Sequence, residues 1–381
     1  MPAFELELER LRETHRIPGM SAAVVHDGEV VLARGLGFAD LASQTHAAAS
    51  TPYNLASLTK PVAAVLVMQL VQEGQLDLDA PVADVLADAT FPFRYDGAPV
   101  RGFDAFCRLV VEAVPDETHP LHPILIDGHR DYRCDTERPT VRHHFSHTAE
   151  GVPGSEYHYN GDLYARLAVI AEAVTGTGFR ELLVERIVRP AGMVATIPSV
   201  DDATYEAVRS RRATYYRDTE DGFTPVPVSR PFAWPPVFAE LGLDVDVAYA
   251  VNAGAGMVTT VTDLAAFDIA LDEHRLLSEE TEAVMWTPTV ANDGRRLPYA
   301  LGWFVQDVGG TTVVWHYGHG GVYSSLYLKV PSRNLTFLLL ANSGGASAPY
   351  PWGRGDVLVS PFARAFLDQI AGLDLPVPAE P

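Results

Sequence analysis

Lys60 stands three residues after Ser57 in Leu55-Ala56-Ser57-Leu58-Thr59-Lys60, and with Lys329 it is one of only two lysines in a chain that carries 26 arginines. A serine hydroxyl is a weak nucleophile at neutral pH unless a neighbour takes its proton, and a desolvated lysine can be neutral enough to do so. Pro61 has no N–H and disfavours helical geometry at the residue before it, which sets Ser57 to Lys60 at the start of the apolar run Val62 to Val71. Residues three apart on a helix share a face. The helix start adds a backbone N–H and the positive end of a dipole, both suited to an anionic intermediate. The chemistry these residues suggest is acyl transfer to Ser57. The same pair would also serve as a capping serine followed by a solvated lysine.

The 13 histidines allow a rival chemistry. His143 and His147, four apart, could share a zinc ion on a helix given a third ligand, although H-E-x-x-H is absent. His119, His122, His129 and His144 read as loop or surface residues. The carboxylates of "DLDAPVADVLAD" read as a solvated face, and no glycine-rich phosphate loop is present.

The elements that must position these residues follow from periodicity. Residues 3 to 15 alternate apolar and charged positions at helical spacing, and Pro18-Gly19 stops them. "SAAVVHDGEVVLARG" reads as a hairpin turning at Asp27-Gly28. Helices are expected at 61–73, at 162–175 closed by Gly176, at 178–188 stopped by Pro190, and at 262–272. "LGWFVQDV", "TTVVWHY", "SSLYLKV" and "LTFLLLA" read as four strands, followed by a closing helix from about Pro361 to Ile370. Residues 93–138, rich in Pro, Gly, His and Asp, read as an inserted loop region. Strands at both ends and helices between them predict one antiparallel sheet covered by the terminal helices, with a helical second lobe and a cleft between the two. The expected unit is a single domain over 1–381, its sheet lobe about 1–56 plus 255–375 and its helical lobe about 57–254.

At 381 residues and 47% hydrophobic, the chain can bury a large core. A formal net charge of -21 argues against nucleic acid and anionic membrane surfaces as partners. That composition fits a salt-adapted host or a genome that writes arginine for lysine. "MPAFELELERLRETHRIPG" has neither a basic nor an apolar leader region, and the longest apolar run is too short to span a bilayer, so the expected location is the cytoplasm. Cys107 and Cys134 read there as free thiols.

S-x-x-K at the start of a buried helix is a signature of β-lactamases and penicillin-binding proteins. Further segments follow in that family's order. "FSHTAEGVPGSEYHYNGDLYARLAVIAEAVTG" supplies His147-Thr148, Pro153-Gly154 and Tyr159 before a helix; "NAGAGMVTTVTDLAAF" supplies the next element and "WHYGHGGVYSSLYLKVPSRNLTFLLLANS" the last. Over about residues 1 to 375 the sequence thus resembles class C β-lactamases and their esterase and D-peptidase relatives. The resemblance implies an α+β fold of β-lactamase/transpeptidase type and no metal or organic cofactor. It makes Ser57 the acylated nucleophile, with Lys60 and Tyr159 as its proton-transfer partners. It also places His147 in a structural motif instead of a zinc site.

For the last motif, the family's H-G-G-A-T-P-G-F-S-S is matched without a gap from His316 to Ser325, so His316 is expected at the site beside Gly318. The backbone N–H of His319 is then the second oxyanion donor after that of Ser57. One departure stands out. The family's Y-x-N reads Tyr159-Asn160-Gly161, placing an amide one position early at Asn160, which is assigned to substrate binding. The expected substrate is a small carboxylic ester, because the shifted amide weakens amide recognition. The alternatives are β-lactam, amide or D-peptide hydrolysis or acyl transfer, a non-catalytic acyl- or peptide-binding relative, and a zinc hydrolase. Oligomeric state is left open.

Overall fold

Asp27 and Gly28 both take positive φ, 50° and 75°, and so turn the chain tightly between β1 (Gly19–His26) and β2 (Glu29–Asp40). The computed structural model describes residues 1–95, 97–105, 107, 138–226, 243–245 and 251–376. β3 (Thr45–His46) extends this hairpin, while β4 (Phe304–Val308), β5 (Thr311–His319), β6 (Ser324–Val330) and β7 (Leu335–Ala341) are the four strands expected near the other end. They join in a seven-stranded antiparallel sheet of order β4-β5-β6-β7-β1-β2-β3. β7 closes onto β1, with Ala341 opposite Met20 and Leu335 opposite His26.

Every residue of β6 and β7 is buried, so this part of the sheet is covered on both faces. On one face lie α1 (Pro2–Thr14) and, from the other end of the chain, α6 (Pro361–Gln369). Phe337 of β7 sits 5.4 Å from the Phe4 ring and 5.2 Å from that of Phe366. α2 (Thr59–Gln72) is buried without a break from Thr59 to Leu70, as an apolar run on all sides requires. α3 (Gly161–Thr175) packs against it and ends at Gly176, whose φ of 71° forms the left-handed cap. α4 (Val261–Asp272) lies on the other face of the sheet, and α5 (Glu279–Met285) packs against α2.

Three expectations need correction. The helix expected to stop at Pro190 runs from Phe179 through a widened turn, Val184–Val188, to Ala191, and closes at Gly192. The wider turn gives the proline ring the room a regular α-turn would deny it. The supposed loop of 93–138 begins with paired strands, Thr90–Tyr95 and Ala98–Arg101; most of the remainder, with His119, His122, His129 and Cys134, lies outside the described residues. Cys107 is disulfide-bonded, not free, which withdraws the thiol reading and the support it took from a reducing compartment. Among the described residues, no helix is long and apolar enough to cross a membrane.

The chain's second lysine anchors α4 to the sheet. Lys329 Nζ lies 2.8 Å from Asp268 Oδ1 and 2.7 Å from Asp272 Oδ2, and Tyr327 also donates to Asp268. Neither Lys329 nor Asp268 exposes more than 2% of its side chain. Glu282 of α5 faces the same cluster. Burial first, then the carboxylates of Asp272 and Asp268, push it up to about 8 against the pull of Lys329, with Glu279 adding to the rise. A carboxyl raised in the folded state holds a proton that the unfolded chain releases near 4.5, so folding stability falls as pH rises from about 4.5 to about 8 and then levels. Glu282→Gln, which cannot ionise, is expected to flatten that fall in thermal melts; a variant whose slope matches the parent would place the proton elsewhere.

Candidate active site

Ser57 sits in the tight turn Ala56–Leu58 that runs directly into α2, and it is half-buried where its neighbours from Thr51 to Leu70 are buried. Ala56 takes φ 49°, a left-handed conformation unusual for a residue with a Cβ, and the Asn54 side chain holds its N–H at 2.8 Å. Lys60, three residues on, brings Nζ to 3.0 Å from Ser57 Oγ and 2.9 Å from the carbonyl of Gly254. Burial pushes Lys60 down to about 7, with Asp162 opposing. Its ammonium and amine forms are therefore close to balance at neutral pH. The capping alternative fails, because the turn has no side-chain cap bond from Ser57.

Tyr159 comes in over this pair, its ring centre 5.1 Å from Lys60 Nζ. Its hydroxyl turns toward Ser57 without reaching hydrogen-bond geometry, and it is buried with no partner. Burial, helped by Tyr317, holds the phenol well above its usual range, so it stays protonated. A Cβ on Gly161 would lie 3.9 Å from Lys60 Nζ. Asn160 does not turn to the substrate side. Its Oδ1 accepts the N–H groups of Asp162 and Leu163, capping α3, and its Nδ2 donates to Glu150 at 3.2 Å. The amide expected at the substrate is thus engaged by the start of α3.

β5 passes beside the Ala56–Leu58 turn. A Cβ on Gly318 would stand 2.1 Å from the Leu55 carbonyl oxygen, and Ser325 Oγ on β6 donates to that same oxygen at 2.8 Å. Only glycine lets the strand come so near. His319 follows, its side chain exposed and its Nδ1 3.0 Å from Ser347 Oγ. His316 is fully buried, 6.2 Å from Tyr159 between ring centres, with its nitrogens against the Tyr317 carbonyl and the Tyr299 hydroxyl. Burial, with Lys60 close by, holds it well below the usual imidazole range. Its ring thus packs beside that of Tyr159, inside the wall of the site.

The zinc pairing of His143 and His147 is not assembled. His143 caps a helix that ends at Phe145, and His147 lies beyond it with Nδ1 accepting from the Asn160 N–H at 3.1 Å. Among the described residues, no three His, Cys, Asp or Glu side chains are grouped to hold a metal. Gly254 and Tyr299 were missed in the sequence. Gly254 lies inside the quoted "NAGAGM" stretch, but no local pattern marks its carbonyl as the lysine's partner.

With this geometry in place, the chain matches the Beta-lactamase family model over residues 4–356. The chain belongs to that family. Its relatives include the D-aminopeptidase of Brucella anthropi (26% identical, 91% of this chain, 60% of that protein) and the Unguisins hydrolase ungD' of Aspergillus campestris (26%, 86% and 59%). The chain thus spans about three-fifths of the length of these relatives. Among solved structures it resembles the octameric penicillin-binding protein homologue from Pyrococcus abyssi, with a TM-score of 0.68 at 22% identity over 98% of this chain and 78% of that one. The class C β-lactamase from Rhodobacter sphaeroides gives 0.61 at 18% over 98% and 99%. EstCE1, a hydrolase with promiscuous acyltransferase activity, gives 0.62 at 19% over 96% and 98%. These likenesses establish the α+β fold of β-lactamase/transpeptidase type.

Proposed function

We propose that this protein is a serine acyl hydrolase that forms an acyl-enzyme on Ser57 and acts on small carboxylic esters. The observation that carries the reading is the contact of Ser57 Oγ with a lysine held near 7. As an amine, Lys60 gives one N–H to the Gly254 carbonyl and keeps its lone pair for the Ser57 proton. Ser57 Oγ attacks the ester carbonyl, its proton passes to Lys60, and the carbonyl oxygen becomes an oxyanion between the backbone N–H groups of Ser57 and His319. Tyr159 hands a proton to the departing alkoxide and is replenished from Lys60. Water then attacks the acyl carbonyl by the same route, with Lys60 again as base, and frees the carboxylic acid and Ser57.

Ester preference is supported by Gly161, which offers no side chain, and by the commitment of the Asn160 amide oxygen to the helix cap. Amide hydrolysis is the second reading, favoured by the D-aminopeptidase relative. A fluorophosphonate probe should label the native protein. A panel of a nitrophenyl ester, a D-amino-acid amide and a chromogenic cephalosporin should then show kcat/KM at least ~100-fold higher for the ester than for the lactam. Comparable rates on ester and cephalosporin would overturn the substrate assignment.

A further inference from the structure

We propose that Tyr299 is a positioning residue that sets acyl specificity: by holding His316 as a neutral imidazole turned into the protein, it leaves no cation at this position of β5 to meet the substrate, and the site selects acyl groups that carry no carboxylate. The inference rests on the hydrolase reading above. The Tyr317 carbonyl can only accept, so His316 Nδ1, 2.7 Å away, carries the hydrogen. In a neutral ring, Nε2 then has a lone pair, and the Tyr299 hydroxyl 3.0 Å from it is the donor. Both nitrogens are spent, and no part of the ring meets solvent.

Tyr299 is itself held firmly. Its carbonyl accepts from the Thr289 N–H at 3.1 Å, and its ring lies 4.7 Å from those of both Phe304 and His147. Around His316 the rings of Tyr159, Tyr299, Phe304 and Tyr317 stand at 6.2, 5.8, 5.5 and 5.8 Å. A carboxylate pressed against this wall loses its water and gains no charged partner there. Paired instead with Lys60, it would keep the amine protonated and unfit to take the serine proton.

Two nitrophenyl esters test this, one with an acyl chain ending in a carboxylate and one with that carboxylate capped as its methyl ester. Wild-type protein is expected to show kcat/KM at least 100-fold lower for the free acid. The double variant Tyr299→Phe, His316→Lys puts an ammonium on β5 with no phenol to hold it, and should narrow that ratio at least tenfold. Nitrogen-15 NMR adds a readout independent of turnover: His316 should remain the Nδ1–H tautomer from pH 5 to 8, and its Nε2 resonance should move in Tyr299→Phe. Equal wild-type rates on the two esters, an unchanged ratio in a double variant that still takes up fluorophosphonate, or an Nε2 resonance indifferent to Tyr299 would overturn the proposal. Fluorophosphonate labelling separates the two failures. An unlabelled native protein sinks the hydrolase reading itself, whereas labelling with equal ester rates removes only the role given to Tyr299.

Discussion

Ser57→Ala is expected to lower ester turnover at least roughly 10³-fold and to abolish fluorophosphonate labelling, as loss of the nucleophile does in serine hydrolases. The fold should hardly notice. Ser57 Oγ caps no backbone group, and its hydrogen-bond contact is with Lys60, which keeps the Gly254 carbonyl at 2.9 Å when the hydroxyl is gone. The melting temperature should therefore stay within about 3 °C of the parent's, the scale of a ~1 kcal/mol loss in a chain of this size or smaller. This combination matters because Ala56 already sits at φ 49°, and a variant that relaxed the turn would lose activity for a different reason. A crystal structure or a melt separates the two. Labelling of a folded Ser57→Ala protein would move the nucleophile elsewhere and take the mechanism with it.

What could be read from the sequence was what local spacing controls. Ser57 and Lys60 share a helix face because they are three residues apart, and α2 is inner because its apolar residues leave no polar side. The sheet was legible because period-two runs at both ends of the chain have few ways to pair. Less legible were residues that can satisfy two demands. Asn160, read as a substrate amide, also stands one position before α3, where the N–H groups of a helix start take its oxygen. The partner of His316, Tyr299, lies 17 residues away in a segment with no periodicity to mark it. The Gly254 carbonyl that holds Lys60 is 194 residues distant, and Asp268 lies 61 from Lys329. Contacts of that kind are set by how the elements close over one another, which side-chain spacing does not encode.

Lys60 supplies the second large effect, and its sign can be worked out. Acylation needs the amine, and with Lys60 near 7 the rate should climb from pH 5 through neutrality and level above about 8. Four buried rings of the site do not titrate there: burial holds Tyr159 and Tyr299 well above their usual range, and it holds His147 and His316 well below theirs. Glu282, raised to about 8 behind the sheet, could mimic the limb, so Glu282→Gln should keep the rising profile. Lys60→Arg should not. A guanidinium stays protonated at every pH in that range, and its planar head does not fit the space between Ser57 Oγ and the Gly254 carbonyl. The acylation rate of that variant should fall at least roughly 10³-fold, since it loses the base while keeping the hydroxyl. The burst of nitrophenol in stopped-flow reports acylation apart from acyl-enzyme hydrolysis, which makes it the measurement of choice. A burst rate flat from pH 5.5 to 8.5, or a Lys60→Arg burst within tenfold of the parent's, would mean that something other than this lysine takes the serine proton.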